Sequence, residues 1–552
     1  MACGIAFVVG VVLGAGHVPA DQDRAQRFAD AWARGDYAAM YSQISDTDRQ
    51  RLSRLKFVNA YQQTMRTATA ARVITGKPRK SRGDYRLPVT VQTRAFGTVT
   101  GDVVMPISDA GIGWSRAMMF PGLAAGERLR RVTKMPPRAT LLARDRTVLA
   151  KGDSRASSSP LAAQVVGQLG PIPPERKREL AALGVPSDAR VGVSGLERVF
   201  DDRLIGKPGG ELLAGKRVLR ATVPEQASAV RTTISMPVEQ AAVAALTDRL
   251  GGSVAVDPRS GAILAFAGIA FSGLQPPGST FKMVTATGAL EAGITNPSKT
   301  YPVQQAATLE GVELENANGE YCGGNLVVSF AKSCNSVFAP LGVQLGARKL
   351  VSTAERYGFN HEPDIAGAAM STIPRAGQIG DDLALGSSAI GQGRVQATAL
   401  QMATIASAIG LRGRRPHLTL AYDEAHGSAE TERATSTRVA RTMERLMLAV
   451  VRGGTGVNAA IPGVAVAGKT GTAELKTTKR CEPSPDDPQA CPPEDQKNDP
   501  TDTDAWFAAY APAGRGRPHI AVGVLLVASG AGGDTAAPAA KQILVAGLKA
   551  TA

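Results

Sequence analysis

Apolar and polar positions alternate along this chain with two periods, and the prevailing period changes as the chain proceeds. Residues 2–16 (ACGIAFVVGVVLGAG) form an uninterrupted apolar run. It is shorter than the ~20 residues a membrane span wants and has no basic leader before it. Residues 1–20 are expected to be a membrane anchor or a truncated export signal, a buried strand or helix being the alternative. Cys3 stands at the start of the apolar run, most of which follows it rather than preceding it, which argues against lipidation. Ala25, Phe28, Ala29 and Trp32 then fall at i, i+3, i+4 and i+7, and the spacing repeats in Tyr37, Met40, Tyr41 and Ile44. Each set gives a helix one apolar face. From Tyr85 to Gln92, Tyr, Leu, Val and Val alternate with Arg, Pro, Thr and Gln, which predicts a half-buried strand. Further strand-like stretches end at Gly113-Trp114 and at Phe120-Pro121-Gly122-Leu123. Helices first and antiparallel strands after predict a small α+β domain over 21–130.

Residues 131–228 have Pro-, Arg- and Ser-rich joints and a stretch GVSGLERVFDDRLIGKPGG at 192–210, which reads as an elongated, irregular pedestal. A third region, 229–552, opens with a strand (VRTTIS) followed by a helix. Within it, Phe281, Met283, Val284, Ala286, Ala289 and Leu290 give a helix its buried side. LVVSFAKSCN is helical up to Ser333-Cys334-Asn335, and VAVA at 464–467 looks like a strand.

With 552 residues, 43% of them apolar and 20% charged, the chain has room for several domains with large cores. Its net charge of +15 would suit a polyanion. The basic residues are scattered, however, aromatics make up 5%, and no nucleic-acid module appears, so nucleic acid is set aside as a partner. Five cysteines form no C-x-x-C pair, and none of five histidines lies in H-E-x-x-H, which leaves a zinc site unsupported. A Ser-His-Asp hydrolase lacks its G-x-S-x-G elbow, which Gly192-Val193-Ser194-Gly195-Leu196 misses by one residue.

The candidate chemistry starts at Pro276-Pro277-Gly278-Ser279-Thr280-Phe281-Lys282, a turn that delivers a serine and a lysine into the start of a helix. Residues three apart share a helix face, so the Lys282 amine stands beside the Ser279 hydroxyl. Alone, the pair reads equally as a capping serine and a solvated lysine. Ser333 and Asn335 add a hydroxyl for proton relay and an amide for a substrate carbonyl. Gly463 to Thr470 satisfies G-x-x-x-x-G-K-[ST], but a phosphate-cradling loop needs a strand before it and a helix after it. Here the residues before Gly463 are loop-like and Gly471 follows at once, so Lys469-Thr470-Gly471 is placed on a strand. There Lys469 offers an ammonium, Thr470 and Thr472 offer hydroxyls, and the Thr472 amide could complete an oxyanion hole with that of Ser279.

Ser-x-x-Lys, Ser-x-Asn and Lys-Thr-Gly in that order are the signature of penicillin-recognising serine acyltransferases. The chain closely resembles a class B penicillin-binding protein. GVSGLERVFDDRLIGKPGG is similar to that family's dimerisation segment, AIGQGRVQATALQMATIASAIG (389–410) to its helix after the second motif, and DAWFAAYAP (504–512) to the strand after Lys-Thr-Gly. The region 21–130, with FADAWARGDYAAM and FPGL, resembles the NTF2-like extension of the methicillin-resistance subgroup. The resemblance implies a multidomain α/β fold. It comprises an NTF2-like α+β domain, a dimerisation or pedestal domain (131–228), and a β-lactamase-like transpeptidase domain (229–552) with an antiparallel sheet flanked by helices.

It further implies a D,D-transpeptidase acting on peptidoglycan stem peptides, acylated by β-lactams, with no metal or cofactor. Its location would be the extracytoplasmic face of the membrane, with other cell-wall synthesis proteins as candidate partners. Ser279 would be the nucleophile, Lys282 its base, Ser333 the proton shuttle and Asn335 the peptide holder; Lys469 with Thr470, Gly471 and Thr472 would bind the terminal carboxylate. A β-lactamase, a D,D-carboxypeptidase or a non-enzymatic penicillin sensor would use the same constellation. Between Lys-Thr-Gly and Trp506 lies a Pro- and acid-rich insertion (475–503), expected on the active-site side. A disulfide between its Cys481 and Cys491 is expected, two free thiols being the alternative. Cys334 is expected as a free, packed thiol, Cys322 being the less favoured partner for it.

Overall fold

The computed structural model describes residues 19–425, 427–475 and 503–551. Residues 1–18 and most of the 475–503 insertion, with Cys481 and Cys491, lie outside the described residues. The chain divides into two compact units: Met1–Ala139, Leu169–Val191 and Asp202–Ser228 in the first, Thr140–Gln168, Gly192–Asp201 and Ala229–Ala552 in the second.

In the first unit, α1 (Ala20–Ala33) buries Ala25, Phe28, Ala29 and Trp32, the positions its spacing singles out. Helix α2 (Arg54–Thr67) starts at Ser53, whose hydroxyl accepts the Lys56 amide. It adds Phe57 and Tyr61 to the same core. In the antiparallel sheet, β3 (Asp84–Thr93) pairs with β1 (Ala70–Thr75), β2 (Arg79–Ser81) and β4 (Thr98–Met105). Tyr85, Leu87, Val89 and Val91 face inward from β3, as a period of two requires. The stretch from Phe120 to Leu123 is no strand: a 3-10 turn (Arg116–Met119) leads into it, and Phe120 and Leu123 plug the core from a loop. A loop that inserts isolated apolar side chains imitates a strand's alternation.

Residues of the stretch 131–228 fall in both compact units. Its strands β6 (Gly209–Ala214) and β7 (Arg217–Thr222) join β5 (Leu129–Lys134) in a three-stranded sheet. Leu212 and Ala214 of β6 are used up in the first unit's core. Residues 140–168 and 192–201 belong instead to the second unit, where Arg155 and Glu197 form a buried ion pair at 2.5 Å.

The second unit is built on a five-stranded antiparallel sheet of β8 (Gly251–Asp257), β9 (Ala262–Gly268), β10 (Ala467–Glu474), β11 (Thr503–Ala511) and β12 (Ile520–Leu526), in the order β9-β8-β12-β11-β10. Its main helices are α3 (Met236–Ala244), α4 (Lys282–Glu291), α5 (Leu326–Ala331), α6 (Asn335–Leu345), α7 (Ala399–Gly410), α8 (Thr437–Gly453) and α9 (Ala536–Thr551). Along β11, Ala505, Phe507, Ala509 and Ala511 pack under α9, while Trp506 and Tyr510 are buried on the other face, where α7 lies. Burial on both faces is why this strand reads as a continuous apolar run. In VRTTIS the strand proper is Val230–Arg231, which pairs in parallel with Leu141–Leu142, and Thr232 adds an isolated bridge to Ala421. Helix α4 buries every residue from Lys282 to Leu290 rather than one side, because α6 and α8 both pack on it.

Glu239 of α3 is fully buried; its Oε2 accepts the Phe266 amide at 2.9 Å, and Oε1 has no partner among the described residues. Burial pushes its pKa from 4.5 up to about 8. The folded protein therefore holds a proton that the unfolded chain releases, so stability falls as pH rises from about 4.5 to about 8. Glu239→Gln is expected to remove this slope and to stabilise the protein by roughly 3–5 kcal/mol at high pH. Urea unfolding at acid and alkaline pH checks this, and equal pH dependence in the two proteins would contradict it.

Candidate active site

Gly278–Phe281 forms a 3-10 turn that runs into α4. Gly278 has φ +50°, and a Cβ there would lie 2.5 Å from the Thr472 carbonyl oxygen, so glycine alone lets the turn seat against β10. Its amide bonds the Gly391 carbonyl at 2.9 Å. Ser279 is half-buried on this turn, and Lys282, the first residue of α4, is fully buried.

The Lys282 amine is the hub of the site. Its Nζ lies 2.6 Å from the Ser333 carbonyl oxygen, 2.6 Å from Asn335 Oδ1, 2.9 Å from Ser279 Oγ and 3.3 Å from Ser333 Oγ. The two shortest contacts are to oxygens that can only accept. A neutral amine has two N–H bonds and one lone pair, so with both N–H bonds donated there the lone pair is left for the Ser279 hydroxyl. Burial, and then the Lys469 charge, hold the Lys282 pKa well below its usual 10.5. Asn335 is itself held by its Nδ2, which donates to the Glu315 carbonyl at 2.7 Å.

Lys469 comes from β10, so Lys-Thr-Gly lies on a strand that continues to Glu474. Fully buried, it donates to Ser333 Oγ and to the Thr470 carbonyl, both at 2.8 Å. Burial lowers its pKa to about 7. Thr470 and Thr472 alternate with it along the strand: Thr470 Oγ1 lies 2.5 Å from Thr455 Oγ1, and Thr472 Oγ1 accepts the Gly532 amide at 3.3 Å. The five residues Ser279, Lys282, Ser333, Asn335 and Lys469 are thus joined by direct hydrogen bonds.

Cys334 differs from expectation: it forms a disulfide with Cys322, Cα to Cα 5.4 Å. The strand Cys322–Asn325 runs straight into α5, which reverses the chain and returns residue 334 beside 322. Separation along the sequence carries no sign of that reversal. Three more residues had no local signal. The rings of Phe330 and Phe338 stand 5.7 Å from Lys469 Nζ and Lys282 Nζ respectively, and meet edge to face at 5.8 Å. Thr455 touches Thr470 and bonds the Ala331 carbonyl through its amide at 3.0 Å.

A nucleophilic serine hydrogen-bonded to a buried amine, with a second serine between that amine and another, defines a serine acyltransferase of the penicillin-recognising class. Residues 251–545 match the penicillin-binding protein transpeptidase domain, residues 20–127 the NTF2-like N-terminal transpeptidase domain, and residues 153–217 the penicillin-binding protein dimerisation domain. The chain belongs to the penicillin-binding proteins. It is 32% identical over 426 residues to the peptidoglycan D,D-transpeptidase PbpA of Mycolicibacterium smegmatis, which covers 64% of this chain and 80% of that one. The PbpA of Mycobacterium tuberculosis is 36% identical over 304 residues, 51% of this chain and 56% of that one. The solved structure of penicillin-binding protein A from M. tuberculosis as a ceftriaxone acyl-enzyme covers 75% of this chain and 98% of its own, with 27% identity and a TM-score of 0.57.

The Lys282 amine has a lone pair for the Ser279 proton only when neutral, so acylation at Ser279 is expected to slow as pH falls through the Lys282 pKa. Lys469→Gln removes the charge that helps depress that pKa, so the acid limb of the rate profile is expected to move to higher pH. Penicillin acylation rates measured across pH for both proteins check this; an unmoved limb would count against it.

Proposed function

We propose that this chain is a serine D,D-transpeptidase that cross-links peptidoglycan stem peptides through an acyl-enzyme and is acylated covalently by β-lactams. The observation that carries the reading is the Lys282 amine, whose hydrogen bonds leave its lone pair for Ser279 Oγ at 2.9 Å. Ser279 Oγ attacks the carbonyl of the penultimate D-alanine as Lys282 takes its proton. The oxyanion forms against the amides of Ser279 and Thr472. When the bond to the terminal D-alanine breaks, that residue's amine leaves with a proton delivered through Ser333, which reaches both lysines. An amine of a second stem peptide then attacks the ester. Its proton passes to Lys282, a new amide forms, and Ser279 recovers its hydroxyl.

Asn335 holds the peptide, while Lys469 with Thr470, Gly471 and Thr472 takes the terminal carboxylate. The work is done on the extracytoplasmic face of the membrane, with segment 1–20 as anchor and other cell-wall synthesis proteins as partners. The Cys322–Cys334 disulfide fits an oxidising compartment. No helix among the described residues is long and apolar enough to cross a membrane. The body of the chain is read as three domains, 21–130, 131–228 and 229–552.

Fluorescent penicillin is expected to label the protein in a form that survives denaturing gel electrophoresis, and Ser279→Ala to abolish the label. Persistence of the label in the alanine variant would refute the assignment of the nucleophile.

A further inference from the structure

Asp504, the second residue of β11, is fully buried. Its Oδ1 accepts the Ala528 amide at 3.0 Å, and Oδ2 has no hydrogen-bond partner among the described residues. Burial raises its pKa, which favours the neutral acid. A half-satisfied carboxyl in a core is costly, and an apolar residue would pack there more cheaply. What the carboxyl holds therefore matters.

It holds the start of a short segment. Ala528 sits at φ +49°, a left-handed conformation that a side chain disfavours. The Thr503 carbonyl accepts the next two amides, from Ser529 at 2.9 Å and Gly530 at 3.2 Å. The segment then lies across β10 and β11. Gly532 comes so near that a Cβ would stand 2.2 Å from the Gly471 carbonyl oxygen and 2.4 Å from that of Trp506. The Gly532 amide reaches Thr472 Oγ1 at 3.3 Å. A hydroxyl that accepts from this amide keeps its own proton for another partner.

We propose that Asp504 is a positioning residue of the transpeptidase site: by holding Ala528 it fixes the 528–535 segment, and through Gly532 it sets the Thr472 hydroxyl to donate to the substrate's terminal carboxylate. The proposal rests on Thr472 being a substrate contact, as assigned above. Asp504 touches no substrate and acts through the segment alone. The contact that matters here is the one in which Asp504 Oδ1 accepts the Ala528 amide.

The test is a double-mutant cycle in the full-length protein, read as the second-order rate of acylation by fluorescent penicillin, which carries a carboxylate. Asp504→Ala is expected to slow acylation about tenfold, and Thr472→Val by a similar factor. Asp504→Asn keeps the acceptor oxygen and is expected to stay within about twofold of the natural protein. The double variant Asp504→Ala/Thr472→Val is expected to be no slower than the slower single variant.

Effects that multiply, or an asparagine variant as slow as the alanine, would overturn the positioning role while leaving the transpeptidase reading intact. An unchanged rate in Thr472→Val would overturn the carboxylate role of Thr472 and this proposal with it. Labelling of Ser279→Ala reports separately on the reaction itself. Should Asp504→Ala fail to fold, Gly532→Ala serves the same cycle. Its Cβ displaces the segment from β10 without touching Asp504, and the same non-additivity with Thr472→Val is expected.

Discussion

Two lysine amines, both fully buried and both within reach of a single serine hydroxyl, set the terms for this structure. Two ammonium groups so placed would repel each other in a medium with little water to screen them. The protein instead surrounds them with acceptors and ring faces. The Ser333 carbonyl, Asn335 Oδ1 and the Thr470 carbonyl take N–H bonds, and Phe330 and Phe338 offer their rings. Holding such a pair requires α4 to be enclosed on all sides, which is why that helix shows no exposed face. It also requires β10 to approach the serine turn closely, which the glycine at 278 permits. Among the described residues β10 is the last strand of the sheet and pairs with β11 alone, so it stands as an edge strand beside the serine turn.

Ser333 bears the conformational cost. Its φ of +65° is unusual for a residue with a side chain, and such conformations persist only where the surroundings over-determine them. Here Lys469 bonds its hydroxyl, and Lys282 bonds its carbonyl and stands 3.3 Å from the hydroxyl. The next residue is pinned to the strand Cys322–Asn325 by a disulfide, and the turn before it is tied through the Ala331 carbonyl to Thr455. The second motif is therefore fixed from four directions, none of which is visible in Ser-Cys-Asn itself.

How much of the site could be read in advance follows from the range of each interaction. Ser279 and Lys282 lie one helical turn apart, so local periodicity pairs them. Ser333, Asn335 and Lys469 are remote in sequence, and only the order of three motifs and the resemblance it supports gathered them. Phe330, Phe338 and Thr455 belong to no motif, and their roles depend on where α5, α6 and the end of α8 come to lie. The same limit shaped the fold. Helix α1 and strand β3 bury the residues their periods select, because each packs one face against one core. The stretch 131–228 gives up strand β6 to the first unit and residues 140–168 to the second, and composition cannot report such a division. Phe120 and Leu123 misled because burial from a loop obeys no period.

Buried ionisable groups also shape the pH dependence of this fold from opposite sides. Glu239, raised from 4.5 to about 8, binds a proton when folded that the unfolded chain has lost, so its burial penalises the native state increasingly as pH rises through that window. Lys469, lowered from 10.5 to about 7, is neutral when folded while the unfolded chain is still charged. Its burial penalises the native state increasingly as pH falls from 10.5 to about 7. The two windows overlap between about 7 and about 8. Taken together, these groups are most costly near neutrality and less so on either side. The cost from Lys469 has a return, since a lysine poised near 7 can hold or release the proton that passes through Ser333. Glu239 has no such return in the chemistry, since its one bond serves the Phe266 amide. The costs of these two groups thus coincide near neutrality, set against the apolar burial of the second unit's core.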